Sequence, residues 1–405
     1  MNILFLSIGD VTTLKMSDHG VYTDLVRGLH DSGHEVYVAC CREKRINKST
    51  EECVEAGIHV LRIKTGNITK TSVVEKGIST LTIGYLFEKA IIRFWGNVKF
   101  NLVLYSTPPI TLTPVIKWAK QKYNAKTYLM LKDIFPQNAV DIGMISTKGI
   151  KGLIYKHFRK QEINLYNLSD YIGCMSNANI EYLVNHNRNV SREKVGLCPN
   201  AISIIDMSVT EDEKIKMREK YGIPIDKTVF LYGGNLGKPQ GIPFLIECLQ
   251  QFEDIDDAYF LIIGSGTDYP LVEDYINTNN PKRVKLMKMI PKEDYEKMVG
   301  SCDVGMLFLD YRFTIPNFPS RIIDYMQAKI PVIAFTDPNT DVGEVIKNGK
   351  FGWSAYSNDS KKAKETIVNS LNCDFRRMGN NAFEYLSENY SVSVPLNSII
   401  NFLEG

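Results

Sequence analysis

Two stretches in the second half of the chain carry residue types suited to holding an anion. In Gly233-Gly234-Asn235-Leu236-Gly237-Lys238-Pro239-Gln240-Gly241, glycines follow an apolar run and lead into a helical pattern. Such a turn lets backbone N–H groups approach a ligand closely, a helix start favours negative charge, and Lys238 adds a full positive charge. A purely structural glycine-rich turn is the competing account. A Walker-type phosphate loop is excluded, because Tyr232 and Pro239 stand where it needs Gly and Ser or Thr. The second stretch is NFPSRIIDYM, from Asn317 to Met326. Pro319 suits a first helical turn. Ser320, Arg321 and Asp324 are spaced to share one helix face. Arg321 offers a fork of donors to a phosphate, and Asp324 can accept from ribose hydroxyls; a solvated Arg–Asp pair is the alternative. Gly264-Ser265-Gly266-Thr267-Asp268-Tyr269 is an incomplete G-x-G-x-x-G with Tyr269 in the last position. Both a ligand loop and a structural turn remain open there. In the first half, Ser17-Asp18-His19-Gly20 is placed to cap a helix or to face a ligand from the other domain.

These residues need a scaffold, and the apolar pattern supplies one. Continuous apolar runs alternate with helix-period segments nearly end to end. NILFLSIG, EVYVACC, GIHVLRI, NLVLYST, KTYLMLK, YIGCMS and KVGLCPN occupy the first half; TVFLYGG, AYFLIIGSG, RVKLMKM, VGMLFL and PVIAF the second. This alternation predicts parallel sheets covered by helices on both faces. A polar connection at 200–211 separates the two sets, and open sheets rarely exceed ~10 strands. The expected architecture is therefore α/β, with two Rossmann-like doubly wound domains facing a cleft. The first spans 1–205, the second 206–385, and a helix over 386–405 crosses back to the first. Ligands of such sheets bind beyond the carboxyl ends of the strands, and a cleft between domains is a favoured small-molecule site.

Composition narrows the class further. The 405 residues include 48 Lys+Arg and 46 Asp+Glu, a net charge of +2, with 44% hydrophobic residues. Wholesale disorder is excluded, and the balance argues against a protein built to coat nucleic acid. No apolar run approaches the ~18–20 residues that span a bilayer. Met1–Gly9 reads as a first strand rather than a secretion signal. The eight scattered cysteines, none in C-x-x-C, read as buried reduced thiols of a cytoplasmic protein.

Three motifs in this order resemble a known family: G-N-L-G-K-x-Q-G at 234–241, P-S-R-I-I-D-Y-M at 319–326 followed by P-V-I-A, and K-D-I-F-P-Q at 132–137, which is similar to an R-D-L-W-P-E segment. The chain resembles retaining glycosyltransferases of the GT-B fold, specifically glycosyltransferase family 4. Within it, the resemblance is to bacterial surface-polysaccharide enzymes similar to L-N-acetylfucosaminyltransferases. It implies a nucleotide-sugar donor, UDP rather than GDP, in the second domain. The acceptor, polyprenyl-diphosphate-linked or an oligosaccharide of capsule, O-antigen or exopolysaccharide synthesis, would occupy the first. By position, Lys238 would bind the donor diphosphate, with Gly234 and Asn235 in its turn and Gly264 and Gly266 in the neighbouring one. Ser320 and Arg321 would face the diphosphate or donor sugar, and Asp324 would hold the ribose. Backbone at Met289 and Ile290 would pair with the base, and Gly20 would approach the phosphate. Retention without an evident nucleophile implies front-face substitution. Two departures stand out. Pro316 occupies the place of the first acid of the family's E-x7-E motif, leaving Asn317 and backbone amides as candidates for the donor sugar. The second acid is Asp324, one methylene shorter than the usual Glu.

On the acceptor side, Asp133 ends the run KTYLMLKD and is placed to orient or deprotonate an acceptor hydroxyl, or to cap the turn before Pro136. His19, His157 and Asp18 are its rivals. The segments 75–100 and 148–160 mix aromatic or aliphatic residues with Lys and Arg. They fit a peripheral contact with the inner face of the cytoplasmic membrane, or a buried helix plus a solvated basic face. No metal or other cofactor is expected. Asp254-Ile255-Asp256 matches a metal-binding D-x-D, but it precedes AYFLIIG at the amino edge of its sheet, where a solvated loop is the better reading. The rivals to transfer are a sugar-nucleotide epimerase of the same fold, an NAD-dependent oxidoreductase and a non-catalytic sugar-binding protein.

Overall fold

The apolar runs of the first half become strands. The computed structural model describes residues 1–9, 18–69 and 71–405. Its first unit holds β1 (Asn2–Ser7), α1 (Val21–Asp31), β2 (Glu35–Glu43), β3 (Glu51–Glu55), β4 (Ile58–Thr65), α2 (Val73–Trp95), β5 (Leu102–Ser106), α3 (Thr113–Tyr123), β6 (Lys126–Leu131), α4 (Gln137–Asp141), α5 (Gly149–Leu168), β7 (Tyr171–Cys174), α6 (Asn177–His186) and β8 (Val195–Leu197). Its sheet has the order β3-β4-β2-β1-β5-β6-β7-β8. All pairs are parallel except β3 on β4. The sequence reading missed β3: EECVE is acidic and lies at the sheet edge, where charge discourages further pairing.

The second unit holds α7 (Glu211–Lys220), β9 (Thr228–Asn235), α8 (Ile242–Gln251), β10 (Ala258–Ser265), α9 (Tyr269–Asn279), β11 (Val284–Met287), α10 (Lys292–Ser301), β12 (Val304–Phe308), α11 (Ile322–Gln327), β13 (Val332–Thr336), α12 (Val342–Asn348), β14 (Gly352–Tyr356), α13 (Ser360–Ser370) and α14 (Phe375–Asn389). Its parallel sheet runs β11-β10-β9-β12-β13-β14. The edge strand β14, half-exposed and without a continuous apolar run, was also missed.

The units are Met1–Ser203 with Val392–Gly405, and Ile204–Ser391. The expected boundary at 385/386 therefore moves, because α14 runs through it and belongs wholly to the second unit. The last helix, α15 (Ser393–Glu404), joins the first unit. There Ile399 and Leu403 complete the core beside Phe5, Leu25 and Leu29. The cysteine reading needs one adjustment: Cys373 is exposed and Cys53 half-buried, while the other six are buried thiols.

Strand order reverses between β1 and β5 in one sheet and between β9 and β12 in the other. These are the switch points outside which such sheets bind ligands. At the second, β9 and β12 share only two register pairs, Phe230 with Val304 and Leu231 with Gly305. The gap beyond is filled by the Tyr325 hydroxyl. It accepts the Gly233 N–H at 3.2 Å and lies 3.2 Å from the Leu231 carbonyl and 3.1 Å from that of Met306. Gly305 makes room for it, since a Cβ there would sit 2.3 Å from the Tyr325 ring. Tyr325→Phe should therefore leave buried backbone groups unpaired and destabilise the second unit by about 1–3 kcal/mol. Calorimetry showing an unchanged melting profile would refute that role.

Candidate active site

The loops leaving β9 and β12 bring the predicted donor residues to one switch point. After β9 the chain makes a 3-10 turn over Lys238–Gln240, and Gly241, at φ +58°, starts α8. Lys238 is exposed. Asn235, assigned to the donor, is instead occupied within the loop: its amide donates to Gln240 Oε1 at 2.9 Å. Lys238 is thus the one cation of this turn.

Arg321 comes from the other side. Pro319, Ser320 and Arg321 precede α11, whose first residue is Ile322. This corrects the expected helical placement: Ile322 and Ile323 N–H bond back three residues to Pro319 and Ser320, forming a turn first. The Arg321 guanidinium stacks 4.6 Å over the Tyr232 ring. Its Nη2 donates to the Asn235 carbonyl at 3.4 Å, whereas Nη1 is buried with no partner. Gly234, at φ +115°, lies against this guanidinium; a Cβ there would come 3.4 Å from Nη2. A charge held by stacking and one weak bond, with a donor left over, is a group waiting for an anion.

The carboxylate of Asp324, one turn on, makes no hydrogen bond among the described residues. Burial pushes its carboxyl up to about 6, against the lowering effect of Arg321. Ser320 is exposed beside it. Met289, 75% exposed, and Ile290 form the loop after β11. The GSGTDY turn has a structural explanation: a Cβ on Gly264 would lie 1.8 Å from the Gly234 carbonyl oxygen, and one on Gly266 2.1 Å from that of Leu236. These glycines let β10 run tightly beside β9. In the loop after β12, Asn317 has its carbonyl held by the Thr340 hydroxyl at 2.5 Å.

In the first unit, Gly20 is the N-cap of α1 with no side-chain cap, which corrects the capping role given to Asp18; Ser17 lies outside the described residues. A Cβ on Gly20 would meet nothing within 4 Å. His19 Nδ1 lies 3.5 Å from the buried Asp24, whose other oxygen accepts the Ser203 N–H at 2.8 Å. His157 is exposed on α5.

Asp133 sits two residues past β6. It does not cap the turn before Pro136: both its oxygens accept from Asn138 Nδ2 at 2.7 Å. Burial pushes its carboxyl up to about 6, opposed by the Ile134 N–H and the Asn138 amide. Asn138, Tyr232 and Tyr325 were missed by the sequence reading. Their side chains serve other residues of the site, and nothing in their spacing marks that.

Lys238 and Arg321 thus lie on the loops that follow the switch-point strands β9 and β12 of the second doubly wound sheet. Residues 213–385 match the family Glycosyl transferases group 1. The chain is 22% identical over 330 residues, 81% of its length and 80% of the relative's, to a protein of Pseudomonas aeruginosa named as the probable glycosyltransferase WbjE. It is 22% identical over 56% of its length, and 54% of the relative's, to Escherichia coli WcaI, named as a colanic acid biosynthesis glycosyl transferase. Among solved structures, sucrose-phosphate synthase from Thermosynechococcus elongatus superimposes with a TM-score of 0.76 at 16% identity, over all of this chain and 98% of that one. Anabaena Alr3699/HepE in complex with UDP-glucose gives 0.69 at 14% identity, over 100% and 99% of the two chains.

Asp324 lends itself to a stability test. Its folded pKa is raised, so the folded state binds more protons than the unfolded one between about 4 and 6, and the ionised group lowers stability above that range. Asp324→Asn should raise the melting temperature at pH 8, and the gain should shrink toward pH 4. Equal melting temperatures of variant and wild type at pH 8 would show that the carboxyl is not strained.

Proposed function

We propose that this glycosyltransferase moves a hexose-type sugar from a UDP-sugar, with retention, to a lipid-linked or oligosaccharide acceptor in bacterial polysaccharide synthesis. The observation that carries the reading is the buried, unpartnered Nη1 of Arg321, with exposed Lys238 on the other loop of the same switch point and Asp324 one helical step further on. Arg321 and Lys238 would neutralise charge growing on the leaving diphosphate, and Asp324 would hold the ribose. HepE complexes with UDP-glucose and with UDP support a UDP donor. The names of WbjE, WcaI and the teichuronic acid protein TuaC support a polysaccharide setting. Asp133 would take the proton of the acceptor hydroxyl as its oxygen bonds the anomeric carbon and the diphosphate leaves.

The reaction needs no divalent metal on this reading. Asp254 and Asp256 are committed to Lys364 and Arg283 at the amino edge of the second sheet. Ile255 between them is a core residue rather than part of a solvated loop. Lys238→Ala and Arg321→Ala should each lower kcat about 100-fold or more, while wild-type transfer persists in excess EDTA. Near-normal turnover in both variants, or loss in EDTA reversed by magnesium, would displace this donor site.

A peripheral membrane contact accompanies the lipid-linked acceptor. On α2, Ile83, Phe87, Ile91 and Trp95 are buried, while Ile78, Leu81, Tyr85 and Ile92 form a second stripe 42–63% exposed. Lys76, Lys89 and Arg93 lie on the exposed side. α5 adds exposed Leu153 and Ile154 with Lys156 and Lys160. The first unit carries 26 Lys and Arg against 18 Asp and Glu, a net of +8, and the second 22 against 28, a net of −6. Apolar side chains beside basic ones suit the surface of an anionic bilayer. The protein should sediment with phosphatidylglycerol vesicles at low salt, and Leu81→Glu with Tyr85→Glu should abolish this. Equal sedimentation of the double variant would remove α2 from the contact.

A further inference from the structure

The Asp133 carboxyl is held in a way that ordinary structural acids are not. Among the described residues no Lys or Arg pairs with it; its side-chain partner is the neutral amide of Asn138. That amide has one orientation. Asn138 Oδ1 accepts the Ala139 N–H at 2.6 Å, which turns Nδ2 toward Asp133. A flipped amide would lose this bond and set oxygen against carboxylate. The backbone of Asp133 is gripped from the opposite side. The Thr107 hydroxyl accepts the N–H of Lys132 at 3.1 Å and of Asp133 at 3.3 Å, and donates to the Asp133 carbonyl at 3.0 Å. The nearby charges are engaged elsewhere. Lys132 Nζ donates to the Cys198 carbonyl at 2.7 Å. Glu162 of α5, which disfavours a second negative charge at Asp133, is satisfied by Arg159 and by the Tyr166 hydroxyl at 2.6 Å.

We propose that Asn138 is a positioning residue, whose amide clamps the Asp133 carboxylate in the one rotamer that can receive the acceptor hydroxyl's proton. A salt-bridged carboxylate would be fixed equally well, but it would be a poorer base, since a cation stabilises the charged form strongly. A neutral amide fixes orientation while leaving the group basic. The hydrogen bond still favours the anion, so its loss moves the Asp133 titration upward. The inference rests on the role given to Asp133 above, and its test separates the two.

The full-length protein, labelled with carbonyl-13C aspartate, is titrated by NMR. The Asp133 signal is assigned by its absence in Asp133→Asn. In Asn138→Ala the Asp133 midpoint should rise by about one pH unit. In Asn138→Asp it should rise further, because two carboxylates then share one proton. The acid limb of kcat/KM should move upward with each, and donor KM should stay unchanged. An Asp133 midpoint that is the same in wild type and Asn138→Ala overturns the clamp. A midpoint that moves while the acid limb stays put upholds the clamp and removes Asp133 from the transfer step. Circular dichroism of both variants checks the fold, and Asn138→Leu, nearly isosteric and without a donor, supplies the titration should Asn138→Ala not fold.

Discussion

The second unit is organised around one buried hydroxyl. Tyr325 occupies the split between β9 and β12, where two parallel strands part after two residue pairs. Without it the Gly233 N–H and the carbonyls of Leu231 and Met306 would face a gap. With it, α11 is pinned against the strand ends, and Arg321 and Asp324, just before Tyr325 in sequence, arrive at the carboxyl edge together. The glycines around it follow from the same packing. Gly305 admits the Tyr325 ring, and Gly233 admits the Tyr295 hydroxyl, which a Cβ would meet at 2.0 Å. Gly234 leaves space for Arg321. A loop that reads as phosphate-binding by its glycines is thus first shaped by what those glycines must accommodate.

Two carboxyls, Asp133 and Asp324, are pushed up to about 6 by burial, in separate units and with different surroundings. Asp324 has a nearby guanidinium and no hydrogen bond; Asp133 has a hydrogen bond and no cation. In the proposed reaction the first would receive hydroxyls and the second a proton. The contrast matches these needs, because a proton acceptor loses basicity beside a cation whereas a hydrogen-bond acceptor does not need basicity.

Much of this was legible in the sequence. The twelve apolar runs fixed the two sheets, because parallel strands buried on both faces are continuous in hydrophobicity. The missed strands, β3 and β14, are edges, where that rule lapses. Lys238, Arg321 and Asp324 could be picked out as donor candidates from charge at a glycine-rich turn and from their spacing after Pro319, and the structure puts them on the loops of one switch point. The Asn235–Gln240 pair was not, since two amides five residues apart bond only when the turn between them takes one conformation. Asn138 was hidden for the same reason: its spacing from Asp133 crosses the bend before α4.

The segment joining the units is tied down on each side by residues that also touch the sites. Ser203 N–H is held by Asp24 of α1, the helix that begins at Gly20. Ile205 N–H is held by Gln327 Oε1 at 3.0 Å and Met207 N–H by the Gln327 carbonyl at 2.9 Å, at the end of α11. Lys329 adds an ion pair to Asp206 at 2.6 Å, which draws that carboxyl down to about 2. At the second crossing, Val392 N–H bonds the Ile202 carbonyl, and Tyr390 just before it packs on Phe318, beside Pro319 and Ser320. α1 and α11 each carry a candidate ligand residue at one end or along their length and an anchor for the connecting chain.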